Sequence, residues 1–389
     1  MDPQITPNIF CTYTGTQSEP DATIFFISGN PGLIGYYHPF LSLLARNLVD
    51  RSQAQTGIET ETTTKKTSFQ IYGCSLGGFE QQAENSMHRN AKTTKDEGHP
   101  ADDHLYDLEG QIRFVHRKLV DLMDGNKTSS SNSVSDISKS NSDAGSSNLS
   151  RRGKVILIGH SVGAYIAMEI LRRHREGKPD IQDLLSVETR PGSGSVLSDS
   201  PSSFDIIGGV MLFPTVKDIA HSPSGQKLTN LLSFIPQLAF VVAFFARILT
   251  SLLPSSALKL VVRTVMKNPP AHALDTTVAF LKSSGGVRQA LHMAADEMRT
   301  ITSDKWTDDV WGVGSEAKAV ARLFFYFGRN DHWVAEKTRD EVIALRGQEN
   351  GLGPKMFVCE EGLPHAFCLN HSEIMAQKVG SMVWDVMQS

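Results

Sequence analysis

Cysteine is scarce in this chain: it accounts for four of the 389 residues, and the four are scattered without metal-ligand spacing. They are Cys11, Cys74, Cys359 and Cys368. Small secreted folds and zinc ribbons need closely patterned cysteines, so this pattern argues against both and favours a reducing compartment. No metal or organic cofactor is expected.

The chain also has no excess of positive charge, since its formal net charge is −4 at pH 7. It shows no basic stripe with interleaved aromatic side chains, so no nucleic-acid partner is expected. The first residues contain neither a basic segment nor an apolar stretch, and no signal peptide is expected. Hydrophobic residues make up 40% of the chain, which is enough for a large core.

A G-x-S-x-G sequence at residues 159–163 is the most informative feature that the chain does contain. Residues 154–158 before it form an apolar, β-branched run that is typical of a buried parallel strand. Residues 164–173 after it place apolar side chains at helical spacing. Strand, G-x-S-x-G and helix in this order predict the nucleophile elbow of an α/β-hydrolase, a mostly parallel sheet flanked by helices, with Ser161 as nucleophile.

A second G-x-S-x-G sequence, at residues 73–77, provides an internal comparison. It also follows an apolar run, but residues 78–85 lead into a long polar segment. Because that segment has no apolar helical face to pack on a sheet, the second half of the elbow is missing. Ser75 is therefore the weaker candidate nucleophile and is expected in a loop after an earlier strand.

An acid and a base are expected further along the chain, in the order Ser, Asp, His. Residues 322–328 form an apolar run, and Asp331 follows it; residues 355–359 form another, and His365 follows that. Sites in open α/β sheets form at the carboxyl ends of the strands. We therefore predict Asp331 as the orienting acid and His365 as the base, with Asp218 as the alternative acid.

The oxyanion hole is expected from the first part of the chain. Residues 23–27 predict a strand, and a Ser-Gly-Asn-Pro-Gly loop follows at residues 28–32. The backbone N–H of Asn30 is the predicted first donor, since the next residue is a proline without an N–H. The N–H of Val162, directly after the nucleophile, is the second. The alternative for the loop is an ordinary Asn-Pro-Gly turn.

Several stretches together resemble the lipid droplet-associated hydrolase family. They are the Ser28–Gly32 loop with Tyr36 and Tyr37, Gly110 to Ile112, the elbow from Leu157 to Tyr165, Leu212 to Thr215, Ser222 to Gly225, Tyr326 to Trp333 and His365 to Phe367. The resemblance spans nearly the whole chain except its Ser-rich inserts. It implies Ser161, Asp331 and His365 as the triad, an ester-lipid substrate, and association with lipid droplets and endoplasmic reticulum.

Three regions are expected along the chain. Residues 1–216 are the first part of the hydrolase core, 217–300 a helical cap, and 301–389 the C-terminal part of the core. Polar inserts at about 51–67, 126–150 and 186–203 contain few apolar side chains and are expected to be disordered.

An apolar hairpin is predicted at about residues 228–262, inside the cap. No charged residue occurs from Leu228 to Ala246, and Pro254 divides the apolar sequence into two helices. Such a hairpin suits one leaflet of a membrane or the phospholipid monolayer of a droplet. Two alternatives remain: a helix pair that only caps an acyl pocket, and a true transmembrane span, which the run is just long enough to form.

The order of the triad predicts a serine hydrolase, and the resemblance implies an esterase or lipase that cleaves a lipid ester, of the sterol ester or acylglycerol type. We expect it at the cytosolic face of lipid droplets and endoplasmic reticulum, with protein partners left open. The alternative is a weakly active or inactive hydrolase-fold protein that acts as a droplet-binding factor through its hairpin.

Overall fold

The computed structural model describes residues 3–15, 19–56, 66–81, 104–134, 152–177, 204–234, 238–313, 321–347 and 353–388. Within these residues eight strands form one sheet: β1 (Gln4–Ile5), β2 (Ile9–Tyr13), β3 (Ala22–Ile27), β4 (Phe69–Cys74), β5 (Gly153–His160), β6 (Phe204–Leu212), β7 (Arg322–Phe327) and β8 (Lys355–Val358). Their order across the sheet is β1-β2-β4-β3-β5-β6-β7-β8. From β4 to β8 the pairing is parallel, and β1 and β2 add an antiparallel edge.

The helices of the described residues are α1 (His38–Thr56), α2 (Leu108–Val134), α3 (Val162–Glu176), α4 (Pro223–Phe234), α5 (Leu238–Leu252), α6 (Ser255–Val265), α7 (Ala271–Lys282), α8 (Gly286–Thr300), α9 (Glu336–Arg346) and α10 (Ser372–Met387). A 3₁₀ turn at Ile34–Tyr37 precedes α1. Helices α4 to α8 lie between β6 and β7, where the sequence predicts the cap. The division into core and cap remains a prediction.

Helices cover both faces of the sheet, as the continuous apolar strands require. Strand β5 shows why: Val155 and Leu157 point into the core with α2 and α3, while Ile156 and Ile158 point into the core with α1 and α10. Successive side chains of a strand alternate between faces, so a strand covered on both sides is apolar throughout. The run at 154–158 that predicted a buried parallel strand therefore forms the centre of the sheet.

The first residues of two of the predicted disordered inserts are helical. Helix α1 continues to Thr56 and helix α2 continues to Val134, so the first residues of the inserts at 51–67 and 126–150 are helical. Each extends a helix that the core already stabilises, which the local composition does not show. The rest of both inserts lies largely outside the described residues, and the insert at 186–203 does so completely.

The segment predicted as an apolar hairpin, about residues 228–262, spans parts of three helices: residues 228–234 belong to α4, and Pro254 separates α5 from α6. Pro254 is the N-cap residue of α6 and has an extended backbone, as expected for a residue that ends one helix and starts another. Among the described residues, no helix combines the length and the apolar character that crossing a bilayer demands.

Candidate active site

Ser161 occupies a sharp turn between β5 and α3. Its φ of 56° and ψ of −125° are rare for a residue with a side chain and represent backbone strain of the kind found at functional sites. The glycines on both sides are needed for this turn. A Cβ on Gly163 would collide with the carbonyl oxygen of Ile27, and one on Gly159 would collide with the backbone of Gly163. The G-x-S-x-G sequence thus forms the predicted elbow.

The structure brings the three predicted triad side chains into one hydrogen-bonded chain. The Oγ of Ser161 lies 2.9 Å from Nε2 of His365, although 204 residues separate them in sequence. The Nδ1 of His365 lies 2.7 Å from Oδ2 and 2.9 Å from Oδ1 of Asp331. Each residue follows the carboxyl end of a parallel strand, which places all three at one edge of the sheet.

The carboxylate of Asp331 is fixed and shielded from water. Its side chain is 1% exposed, and its Oδ1 accepts a hydrogen bond from the backbone N–H of Trp333 at 2.8 Å. A carboxylate only accepts hydrogen bonds, so Nδ1 of His365 carries the proton in this contact. The neutral ring then presents the lone pair of Nε2 to the Ser161 hydroxyl, which is the tautomer that a general base requires.

The two alternative residues lie elsewhere. Ser75 is buried after β4, and its Oγ accepts a hydrogen bond from the backbone N–H of Ile34 at 3.2 Å. No helix follows it directly, so its surroundings differ from those of Ser161. The carboxylate of Asp218 lies 3.6 Å from Nδ1 of His221, a neighbour on the same turn. The structure does not join either residue to His365.

The loop predicted to form the oxyanion hole lies directly against the nucleophile. A Cβ on Gly29 would stand 2.9 Å from Cβ of Ser161, so a larger residue would displace one or the other. Asn30 is the next residue in the loop after Gly29. Val162 is the first residue of α3, and its N–H therefore has no acceptor within the helix. Val162 is thus adjacent to Ser161 in the chain, and Asn30 directly follows the glycine that lies against Ser161.

The side chain of Asn30 is held by helix α8. Its Nδ2 donates to the backbone oxygen of Ala290 at 2.9 Å and to Oε1 of Glu297 at 3.0 Å, both on α8. The sequence analysis did not single out Glu297 as a residue linked to the site. The contact joins residues 267 positions apart, and nothing in the local sequence indicates it.

Glu297 is a buried acid, 4% exposed. Burial raises its pKa to about 8, and the hydrogen bond from Asn30 opposes this shift in part. Its carboxyl group is therefore mostly neutral in the folded protein near pH 7.

A second buried network connects the predicted oxyanion loop with the loop that carries His365. The hydroxyl of Tyr37 lies 2.8 Å from Nδ1 of His160 and accepts a hydrogen bond from the backbone N–H of Gly29. The Nε2 of His160 lies 2.9 Å from the backbone oxygen of His365, so Nε2 carries the proton and Nδ1 accepts from Tyr37. Burial, with the neighbouring His365, lowers the pKa of His160 well below its usual value and keeps the ring neutral.

His160 stands inside the G-x-S-x-G sequence and Tyr37 belongs to the aromatic pair noted above, so their positions were visible in the sequence but their contact was not. In the described ranges, no group of three or more His, Cys, Asp or Glu side chains is arranged to hold a metal ion.

The sheet order and the elbow define the fold as an α/β-hydrolase fold. The comparison with known families goes further. The model of the lipid-droplet associated hydrolase family matches residues 20–368, and the chain belongs to this family. It is a hydrolase family, as the resemblance in the sequence implied.

Individual relatives are distant. The chain is 22% identical to the lipid droplet-associated hydrolase of Mus musculus over 366 residues, which are 94% of this chain and 86% of the mouse protein. It is 25% identical to the Gallus gallus protein of the same name over 238 residues, 61% of either chain. Among solved structures, haloalkane dehalogenase DbeA from Bradyrhizobium elkani is similar with a TM-score of 0.48 and 10% identity, over 99% of this chain and 96% of that one.

Proposed function

We propose that the protein is a serine esterase that cleaves a lipid ester, of the sterol ester or acylglycerol type, at the cytosolic surface of lipid droplets or endoplasmic reticulum. The observation that carries this proposal is the chain of hydrogen bonds from Ser161 through His365 to Asp331. The family name supports a droplet-associated hydrolase.

The proposed reaction is acyl transfer to water. His365 Nε2 takes the proton of the Ser161 hydroxyl while Oγ attacks the ester carbonyl, and the buried Asp331 stabilises the imidazolium that forms. The N–H groups of Asn30 and Val162 bind the oxyanion. His365 then protonates the leaving alcohol, and an acyl-enzyme remains. Water, with its proton taken by His365, attacks the acyl carbon; the bond between this carbon and Oγ breaks, Ser161 takes the proton back from His365, and the fatty acid leaves. The protein's own residues supply every proton transfer.

The outer side of α5 supports contact with a lipid surface. Val241, Phe245, Ile248 and Leu252 recur at intervals of three and four residues, so they share one face of the helix. This face is exposed rather than buried: the exposed fraction is 63% for Phe245 and 76% for Leu252, and the adjacent Phe244 is 53% exposed. We call these five residues the apolar stripe. An amphipathic helix in a globular protein normally turns this side to the core.

The next two helices connect the stripe region with the site. Helix α6 packs Leu258 and Val262 against Leu274 and Val278 of α7, which forms a small apolar core of its own. In α7, Thr277 is 2.8 Å from the hydroxyl of Tyr36, in the turn after the oxyanion loop. A lipid surface that binds the stripe would therefore lie against helices that reach the loops around Ser161.

The apolar stripe also favours a second function, droplet binding without significant hydrolysis, because a binding protein would use the same exposed apolar residues. In that case the fold is a weakly active droplet-binding factor. A droplet assay separates the two: a binding factor coats the droplet without releasing fatty acid, and an esterase does both.

The variant pair Phe244→Ser and Phe245→Ser, combined in one protein, tests the proposal. Removal of two aromatic anchors should lower hydrolysis of an emulsified acylglycerol or sterol ester by about tenfold or more, since each anchor contributes roughly 1.5–3 kcal/mol when buried in lipid. The rate with a soluble short-chain ester should stay within about twofold of wild type, because the triad is untouched.

Two further proteins are the controls. Leu345→Ser removes an apolar residue that is 68% exposed on α9, outside the stripe, and should leave both rates unchanged. Ser161→Ala should lose both activities. Wild-type hydrolysis of the emulsion by the stripe variant, or droplet binding by the wild type without any hydrolysis of either substrate, would contradict the proposal.

A further inference from the structure

The cap carries positive charge and no negative charge over a long stretch. Residues 219–274 contain no Asp or Glu, although the whole chain has more acidic than basic residues. The same stretch contains five cationic side chains, all exposed: Lys227, Arg247, Lys259, Arg263 and Lys267. Its formal charge of +5 contrasts with the −4 of the chain, so the cationic character is local to this region.

Three of these cations lie around the exposed apolar side chains of α6. Lys259 and Arg263 are one turn apart on the helix and share a face. Leu260, which is 65% exposed, lies beside Arg263 on that face at a spacing of three residues. Lys267 follows the end of the helix, two residues after Val265, which is 74% exposed. Cationic and apolar groups are thus interleaved, as on helices that bind at a membrane interface.

Internal ion pairing leaves this charge mostly uncompensated. The Nζ of Lys259 lies 2.7 Å from Oδ1 of Asp275, but both side chains are about half exposed, and such pairs are screened by water and salt. Within the described residues, Arg263 and Lys267 form no ion pair. These two cations, which lie among the exposed apolar side chains Leu260 and Val265, are therefore available to a partner of opposite charge.

We propose that the surface formed by α5 and α6 binds phospholipid layers that carry anionic headgroups, with Lys259, Arg263 and Lys267 contacting lipid phosphate and carboxylate groups. This inference rests on the proposed function, because it names the lipid that the apolar stripe meets. The observation that supports this inference is the interleaving of cations with exposed apolar residues on and directly after α6. An apolar stripe alone would not distinguish anionic from zwitterionic lipid, whereas a cation near an anionic surface strengthens binding by roughly fivefold.

Charge and apolar contact have separate roles on this surface. The apolar stripe inserts into a phospholipid layer whatever the charge of its headgroups, and the cations favour layers with anionic headgroups. Binding should therefore contain a part that depends on ionic strength and a part that does not.

Vesicle co-sedimentation of the full chain tests the inference. The vesicles contain either phosphatidylcholine alone or phosphatidylcholine with a one-third share of phosphatidylserine. The combined variant Arg263→Gln and Lys267→Gln is compared with wild type and with a control, Lys118→Gln and Lys337→Gln, which removes two exposed cations from α2 and α9. Thermal unfolding and hydrolysis of a soluble ester show that each protein is folded.

We expect wild type and control to bind the serine-containing vesicles about tenfold or more tightly than phosphatidylcholine vesicles, with the difference lost in high salt. The Arg263/Lys267 variant should lose most of that difference and keep the binding to phosphatidylcholine. Equal binding of wild type to both vesicles, or an unchanged preference in the variant, would overturn the inference and leave the lipid-docking proposal standing. Absence of binding to either vesicle would overturn both, while soluble-ester hydrolysis reports separately on the triad.

Discussion

Replacement of Asp331 by Asn is expected to lower kcat for a soluble ester by about 10³- to 10⁴-fold, the size of effect that a reversed histidine tautomer produces in a serine triad. The amide group is nearly the same size as the carboxylate, so the backbone N–H of Trp333 keeps an oxygen acceptor in place of Oδ1. The amide nitrogen then donates to Nδ1 of His365. The imidazole proton moves to Nε2, which faces Ser161 as a donor and no longer accepts its proton.

The measurement is steady-state hydrolysis of a short-chain ester, with Asp218→Asn as the matched control. Asp218 was the alternative acid in the sequence, and its carboxylate lies near His221 instead of His365. The control should therefore keep its kcat within about twofold. A large loss in Asp218→Asn together with full activity in Asp331→Asn would mean that the acid has been assigned to the wrong residue.

Replacement of Glu297 by Gln is expected to stabilise the protein, and more so as the pH rises. The pKa of Glu297 is raised to about 8 in the folded protein, whereas the unfolded chain has the usual value of 4.5. The contribution of Glu297 to stability is thus fully present below pH 4.5 and is lost as the pH rises toward 8. Gln is neutral at all pH values and escapes this loss, which amounts to about 3 kcal/mol at pH 7.

Urea unfolding at several pH values between 4.5 and 8 measures this effect. The stability difference between Glu297→Gln and wild type should grow with pH across that interval. The exposed Glu360→Gln is the control and should differ from wild type by the same small amount throughout. A difference for Glu297→Gln that is independent of pH would contradict the buried, neutral state of this acid.

The sequence predicted the elements at the sheet edge because each carries its own local signal. The strand before Ser161 is apolar on both faces. Gly159 and Gly163 lie so close to neighbouring backbone atoms that a side chain would not fit at either position. Asp331 and His365 were found because parallel strands end at a common edge, so residues far apart in sequence meet there. In the structure His365 lies within hydrogen-bond distance of both Ser161 and Asp331.

Contacts between helices and loops that are far apart in sequence could not be predicted in the same way. The bond between Asn30 and Glu297 depends on how α8 packs on the oxyanion loop, and the helix periodicity gives no direction for that packing. The same holds for the hydrogen bond between Tyr37 and His160, two residues whose sequence surroundings suggest no contact. Tertiary packing decides both.

The sequence predicted an apolar hairpin suited to a lipid surface and kept as an alternative a helix pair that only caps the site. Composition gives the number of apolar residues in α5, and a helix with this pattern would equally suit a buried position against the core. The structure turns Phe245 and Leu252 outward. The cations of α6 lie among exposed apolar side chains. This arrangement is typical of a helix that binds at a membrane interface and differs from that of an ordinary solvated helix.

Labelling with a fluorophosphonate probe tests the central claim, that Ser161 is an activated nucleophile, most directly. The purified wild type is compared with Ser161→Ala and with Ser75→Ala, which alters the serine of the other G-x-S-x-G sequence. We expect labelling of wild type and Ser75→Ala, and none of Ser161→Ala, because the base, His365, contacts the Oγ of Ser161. Labelling that persists in Ser161→Ala, or a folded wild type that is not labelled, would contradict the account.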